Sequence, residues 1–416
     1  MFRKIKARTI DNKAYYIIFS LPIALLLGLI FPICRIRLVK LSSDRIGHYA
    51  MNTELFFCLL RSGKLKKEGH FLFYNDPTLL ANKQLHKMYK RKMRVLPSFG
   101  PVWRQVDRFL IMTLRWKYQA SFKTLFESRE GYQDTEGLLA LIKTPTFSFT
   151  TNESKKGEQL LAQLGVPHGA RYVCLLARDS KYLDAAHPGT DWSYHDFRDS
   201  DIETYQKAAL YLAEKGYYVL RMGKMVQKQF NLSHANIIDY ANHSLRSDFL
   251  DVYLSAHCHF FISTGTGLDA VPQMFRRPVL LTNIAPFAGS VQYWSPCELL
   301  ITKKLKSLET GLLVSFSENY RLFEQSDRNM QEVLKQHKLQ LVDNTEDEIL
   351  GVVQEMEARM LGAWKATESD KLLSKQFKAL APFSMVANNE VILSEPSRFY
   401  TNLGCQFLRE NQVWIN

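Results

Sequence analysis

The stretch Ser263-Thr-Gly-Thr-Gly267 holds the residue types that a phosphate needs. Two glycines let a backbone approach a ligand closely, and a serine and two threonines add hydroxyl donors. A helical pattern begins at Leu268, so its first N–H groups and positive dipole end would face the same place. The combination suits a phosphate or pyrophosphate. It lacks the Gly-Lys-Ser/Thr of a P-loop and the spacing of a GxGxxG fingerprint, and an ordinary Gly-rich turn of an α/β protein has the same composition. Two further polar stretches follow apolar runs: Arg178-Asp179-Ser180 after Tyr172–Ala177, and Gly47-His48 after Ile36–Leu41. Open α/β sheets place ligands at such strand ends.

Two groups could hold a metal. Asp199-Ser-Asp201 is formally a DxD motif, but it stands just before a helical pattern, where acids serve as N-cap and dipole partners. That use is the stronger expectation. His257-Cys258-His259 alternates faces if extended, so the three side chains would diverge.

The elements that would position these residues follow from periodicity. Asn236–Asp239, His259–Ile262 and Pro278–Leu281 read as strands. Ser247–Ala256 carries Phe249, Leu250, Tyr253 and Leu254 at helical spacing, with Ser247 or Asp248 as N-cap. Upstream, Tyr172–Ala177, a helix over Asp201–Lys215 and a strand over Tyr217–Met222 extend the alternation into a doubly wound parallel sheet. The N-terminal part repeats the theme. Ile36–Leu41 and Phe71–Tyr74 are strands, Val95–Leu96 is a third candidate, and helices begin near Asn52 or Thr53 and over Pro77–Arg91. A helix over 154–164 ends at Gly165, which puts a domain boundary at about 150–170. Glu346–Gly362, Asp370–Leu380 and Arg398–Asn411 read as closing helices.

Fifty-four Lys and Arg against 41 Asp and Glu leave a net charge of +13, which favours an anionic partner. Lys83–Arg129 holds twelve basic residues against Asp107 and Glu127, interleaved with Trp103, Trp116, Tyr118 and Phe122. That pattern suits single-stranded nucleic acid or an amphipathic surface; lipid or an acceptor is preferred, with no nucleic-acid partner. The preference comes from Tyr15–Cys34, an uncharged run long enough to span a bilayer. Basic residues flank it on both sides, and Pro22 and Pro32 interrupt it. A Pro-broken segment inserted from one face reconciles those flanks, and a buried core helix is the alternative. Six scattered cysteines without a CxxC pair read as reduced thiols of a cytosolic compartment.

Several strings together resemble one family. They are Arg45-Ile-Gly-His48 with Asn52-Thr-Glu54; Arg178-Asp-Ser with Tyr182; Tyr194-His-Asp-Phe-Arg-Asp-Ser-Asp-Ile202; Gly216-Tyr-Tyr-Val-Leu-Arg-Met-Gly223; Ile238-Asp-Tyr-Ala241 with Arg246-Ser-Asp-Phe-Leu-Asp251; and Phe261-Ile-Ser-Thr-Gly-Thr-Gly-Leu268. They are similar to bacterial glycosyltransferases of surface-polysaccharide gene sets, over roughly residues 35–300 and the Phe407–Asn411 tail. Thr264 and Thr266 stand where that family has serines, and Phe287 lies in a segment often rich in tryptophan.

The resemblance implies an α/β, GT-B architecture, distantly like heptosyltransferases and fucosyltransferases. Two Rossmann-like domains would face each other across a cleft: residues 35–160 for the acceptor and 161–380 for a nucleotide sugar. Residues 1–34 would associate with the cytoplasmic face of the inner membrane, and 381–416 would pack back on the N-terminal domain. No metal or other cofactor is implied. The partners are a nucleotide sugar, a glycan or lipid-linked acceptor and the lipid surface.

On that reading negative charge builds on a leaving diphosphate, which cations and N–H groups must stabilise. Arg178 is the first candidate, Arg221 the second, with Gly223 and the loop Ser263, Thr264, Gly265, Thr266 and Gly267 supplying close approach and neutral donors. Asp239, Tyr240, Asp248 and Asp251 would line the nucleotide pocket, Asp248 being equally a helix cap. For an inverting reaction His48 is the leading base, with Glu54 and Asp179 behind it; a structural loop histidine is the alternative. A sugar-nucleotide epimerase or hydrolase of the same fold, and a membrane-anchored binder of anionic polymer, are the competing functions.

Overall fold

The structure is a computed structural model. It describes residues 2–65, 69–75, 80–97, 99–114, 134, 137–179, 181, 193–285, 298–323, 330–380, 384–387, 390–393 and 402–415. Tyr182, Phe287, Cys297 and the aromatic half of the basic stretch (115–129) lie outside them. The chain divides into two compact units, Met1–Gln133 with Leu138–Phe149, and Asp134–Gly137 with Thr150–Asn416. The break at Phe149/Thr150 falls where a capping box starts the next helix: Thr150 Oγ1 accepts from the Glu153 amide, and Glu153 answers on the Thr150 amide.

In the first unit, helix α1 (Phe2–Cys34) leads into β1 (Ile36–Lys40), α2 (Ile46–Arg61) and β2 (His70–Tyr74). β1 and β2 pair in parallel, and Val95 adds one parallel bridge to Phe73. The described sheet is thus smaller than a full Rossmann sheet. α3 (Lys83–Lys92) starts at Asn82, whose side chain accepts from the Leu85 amide. α4 (Gly100–Thr113) follows. Phe56, Phe57, Phe71, Phe73 and Phe147 pack as a ring cluster beneath the sheet, mostly edge to face.

Two expectations fail here. α2 begins at Ile46 rather than near Asn52, so His48 is in its first turn and Asn52 and Thr53 are buried within it. Their short polar side chains read as caps in sequence, but Thr53 Oγ1 instead bonds back to the Tyr49 carbonyl. α1 runs unbroken through Pro22 and Pro32 rather than breaking at them. Ala24 and Phe31 pack with Val102, Val106 and Leu110 of α4 in a shared core, with Ile23 and Leu27 beside them.

The second unit carries a seven-stranded parallel sheet. Its chain order is α5 (Thr151–Gln163), β3 (Tyr172–Leu176), α6 (Gln206–Glu214), β4 (Tyr218–Arg221), β5 (Ile237–Ile238), α7 (Asp248–His257), β6 (Phe261–Ser263), α8 (Ala270–Met274), β7 (Val279–Ile284) and β8 (Leu299–Thr302). Every residue of β3 and β7 is buried, as expected of strands covered on both faces. A side ribbon pairs β9 (Lys304–Ser307) with β10 (Leu339–Val342). Then come α9 (Glu346–Met360), α10 (Glu368–Leu380), the hairpin β11 (Ser384–Ala387) and β12 (Glu390–Leu393), β13 (Asn402–Leu403) and α11 (Cys405–Glu410).

The C-terminal tail corrects the sequence reading. Residues 398–411 do not form one helix: Asn402–Leu403 adds an edge strand beside β8, and the helix starts only at Cys405. The described part of 381–416 belongs to the second unit. Gly404 makes the join possible, because a Cβ there would stand 2.9 Å from Val352 and 3.2 Å from Ile301. Buried Glu355 accepts the Cys405 amide at 2.6 Å, and Asn411 reaches Glu348 at 3.0 Å.

Candidate functional site

The strand order β13–β8–β7–β6–β3–β4–β5 reverses direction between β3 and β6. The chain leaves β3 toward β4 and β5, returns to β6 and continues toward β7 and β8. Loops at such a switch point diverge to opposite faces and open a crevice at the strand ends. The two loops here are those singled out in sequence, Ala177–Asp179 and Ser263–Gly267. They meet directly: the Arg178 amide donates to Thr264 Oγ1 at 3.0 Å.

The Ser263–Gly267 loop is held from beneath by Asp269. This buried carboxylate accepts from Ser263 Oγ at 3.1 Å and from the Thr266 amide at 2.7 Å, closing a capping box on the short helical turn Gly267–Asp269. Gly265 takes φ +73°, where a side chain would be strained. Burial outweighs the hydrogen bonds and the field of Arg198 and pushes the Asp269 carboxyl up to about 7. Asp269 was missed from sequence, although Thr266-x-x-Asp269 has capping-box spacing. The helical run beyond the loop is a single turn of 3-10 geometry followed by the five residues of α8, within one residue of the expected span at each end.

Arg178 pairs through Nη1 with Asp199, and its carbonyl accepts from the Ser200 amide at 3.0 Å. Burial, set against the Arg178 charge, raises the Asp199 carboxyl to about 6. Asp199 is therefore a counter-ion rather than a cap. Asp201 is the cap, accepting from the Glu203 amide at 3.1 Å and pairing with Lys228. The buried ammonium of Lys303, just beyond β8, donates to the Asp199 carbonyl at 2.7 Å and pairs with Asp343. Beneath this segment Asn283 donates to Ser200 Oγ at 2.6 Å and to Tyr205 Oη at 3.2 Å, while exchanging backbone–side-chain bonds with Asn344. Lys303 and Asn283 carry no sequence motif, so only the folded sheet reveals them.

The other expected donor-side residues divide. Arg221 is buried at 1% exposure, bonded to Asp239 at 3.2 Å and to the Lys228 carbonyl at 3.1 Å. Asp239 also accepts from the Phe230 amide and from Asn242. The pair is an internal anchor for the loop between β4 and β5. Gly223 sits in that loop at φ +153°, with a Cβ position 2.6 Å from Val226. Tyr240, also buried, donates to Asp251 at 2.7 Å, and Arg246 pairs with Asp251 at 2.8 Å. Burial raises the Asp251 carboxyl to about 6 and the Tyr240 hydroxyl well above its ordinary range. These too are structural links between neighbouring loops. Ser247 caps α7, accepting from the Leu250 amide at 3.3 Å, so Asp248 is its first helical residue and a dipole partner. Asp179 staples two loops by accepting from the Lys181 and Gln227 amides.

In the first unit, half-buried His48 has its pKa lowered to about 4, chiefly by burial and then by Arg45. Its imidazole is neutral at physiological pH. Glu54 is wholly buried and accepts the Thr146 amide on both oxygens, at 3.1 and 3.3 Å. It anchors the 144–149 segment through that amide.

Among the described residues no group of three or more His, Cys, Asp or Glu is placed to hold a metal ion. The His257-Cys258-His259 side chains go separate ways: to the Tyr253 carbonyl, to the Ser255 carbonyl and against the Tyr217 ring.

No family model matches the chain, and no curated protein matches it. Its structure is similar to glycosyltransferase family 9 and heptosyltransferase structures. The family 9 glycosyl transferase from Veillonella parvula DSM 2008 shares 11% identity, with 79% of this chain and 97% of that one covered at a TM-score of 0.46. E. coli ADP-heptose LPS heptosyltransferase II shares 13%, covering 78% and 99% at 0.38. The E. coli heptosyltransferase WaaC with ADP shares 13%, covering 61% and 89% at 0.32.

Proposed function

We propose that this chain is a GT-B-type glycosyltransferase. It binds a nucleotide sugar at the switch point of the second unit and transfers the sugar to a glycan or lipid-linked acceptor presented by the first. The observation that carries the reading is the junction of the Arg178 backbone with the Ser263–Gly267 loop, which brings the segment bearing a guanidinium next to a glycine-containing loop at adjacent strand ends. That set suits the charge that develops on a departing diphosphate.

In the transfer, an acceptor hydroxyl oxygen bonds to the anomeric carbon as the carbon–oxygen bond to the diphosphate breaks. The hydroxyl proton goes to a base, and the nucleoside diphosphate leaves with the electron pair. His48 is the proposed base, because a neutral imidazole accepts a proton. Its low pKa makes it a weak one. Arg178 stabilises the leaving group, with Lys303 fixing the backbone beside it. Inversion at the anomeric carbon follows from a single displacement.

The protein works at the cytoplasmic face of the inner membrane. The stretch Tyr16–Cys34 has a mean hydropathy of 2.6 and is only 17% buried, whereas the core helix of a soluble protein would be mostly covered. Ile18, Leu25, Leu29 and Ile33 face outward from it.

The test is a thermal-shift panel of UDP, GDP, CMP, dTDP and ADP on the full chain in detergent. A selective rise with one nucleoside diphosphate is expected and names the donor class. No response from a folded sample would refute the reading. Release of free sugar without any acceptor product would assign hydrolysis instead.

A further inference from the structure

We propose that Asp199 is an internal counter-ion that an entering diphosphate must displace from Arg178, so that this one carboxylate sets the affinity of the site for its anionic ligand. The inference rests on the donor-site reading above and names a residue that tunes it.

Two arginine–aspartate pairs stand at the strand ends of the second unit, and they differ in kind. Arg221–Asp239 is sealed in, with the guanidinium at 1% exposure and a second bond to a backbone carbonyl. Arg178–Asp199 lies beside the switch point, with side chains 12% and 28% exposed. The Arg178 backbone is joined to the Ser263–Gly267 loop through its amide on Thr264 Oγ1, so an anion at that loop lies within the reach of one arginine side chain.

The backbone that carries Asp199 is clamped independently of its carboxylate. Lys303 holds the Asp199 carbonyl, the Ser200 amide is bonded to the Arg178 carbonyl, and Asn283 holds the Ser200 hydroxyl. Displacement therefore needs only a side-chain rotation about Cα–Cβ, with no movement of the loop.

The surroundings weaken the grip of the carboxylate. Four charged groups act on it: Arg178 and Lys303 favour its ionised form, while Asp196 and Asp179 oppose it. A phosphate group brings more charge and more acceptor oxygens to the same guanidinium, and can take it bidentately. The ligand therefore gains the arginine at the cost of an internal pair already weakened by burial and by Asp196 and Asp179.

Titration calorimetry of the full chain with inorganic pyrophosphate tests this. Asp199→Asn and Asp199→Ala are compared with wild type at pH 7.5, with Arg178→Gln/Asp199→Asn as the reference lacking the cation. The expected result is roughly tenfold tighter binding in both single variants, about 1.4 kcal/mol, abolished in the double variant. The ratio of Asp199→Asn to wild-type affinity should shrink toward one as pH falls to 5.5, because protonation does in the wild type what the substitution does permanently. Taking the ratio cancels the titration of the ligand. Equal or weaker pyrophosphate binding in both single variants, or no binding in any protein, overturns the proposal. If Asp199→Asn gains pyrophosphate affinity but no nucleoside diphosphate binds more tightly than pyrophosphate, the counter-ion role stands and the transferase reading falls.

Discussion

Single residues at the donor end are expected to separate into ligand contacts and internal braces. Arg178→Ala should weaken nucleoside-diphosphate binding roughly ten- to hundred-fold, the loss of one charge-assisted contact worth about 1.5–3 kcal/mol, with a smaller drop in melting temperature than Asp239→Ala causes, because its pair with Asp199 is less enclosed. Asp239→Ala should do the reverse. It strands the buried Arg221 guanidinium without its partner, and breaking a buried pair costs about 3–5 kcal/mol, read as a lowered denaturation midpoint. Asp269 carries a pH signature. Its carboxyl is raised from 3.8 to about 7, so the folded state holds a proton that the unfolded chain has released. That contribution to stability is complete below about pH 4 and is lost as pH rises through 7. Asp269→Asn should flatten this part of the stability–pH curve, and an unchanged slope would remove Asp269 as its source. For His48 the base role predicts an acid limb of kcat/KM near pH 4, rather than near 6.5, because burial has depressed its pKa.

At the scale of elements, the packing of α5 on α7 turns on one glycine. A Cβ built on Gly157 would lie 2.2 Å from the Tyr253 ring, and Tyr253 is itself buried against its neighbours. Gly157→Ala should therefore destabilise the second unit by about 1–3 kcal/mol, although alanine has the better helix propensity. A chemical-denaturation curve decides between packing and propensity, since a stabilised variant would show that the ring yields. The capping boxes at Thr150 and Thr345 belong to the same scale, because each sets where a helix begins and hence where the preceding loop ends. Thr345 also fixes Glu348, which pairs with Lys304 and receives Asn411, so one cap supports the docking of the C-terminal tail.

For the whole molecule, α1 has two faces with different obligations. One shares a core with Val102, Val106 and Leu110 of α4, and the other leaves large apolar side chains exposed. Removing residues 2–34 should therefore do more than release the protein from lipid. It uncovers the apolar face of α4, so the shortened chain should self-associate as well as fail to co-sediment with vesicles. A monodisperse, fully stable truncation would show that α1 is an appendage rather than part of the first core.

The boundary between what sequence and fold each decide runs along the range of the interactions. Local patterns were legible: β3, β7, α7 and α9 fall within a few residues of their expected spans, because burial on both faces or a capping residue leaves its mark in neighbouring letters. The two polar loops that meet at β3 and β6 were likewise visible, since glycine, hydroxyl and arginine at strand ends have local causes. Which polar residues are enclosed by the fold was not legible. Arg178 and Arg221 both stand at the ends of apolar runs, and only the fold leaves the first partly exposed and encloses the second. Glu54, Asp239 and Asp251, expected as site acids, also bond within the protein: to the distant Thr146 amide, to Arg221, and to Tyr240 with Arg246. Lys303, Asn283 and the edge strand at Asn402 gain their roles only when the parallel sheet brings together residues about a hundred positions apart. Sequence by itself determined the elements and their chemistry, through interactions between near neighbours. Tertiary structure decided which charges are spent on one another, because that depends on the long-range pairing of strands.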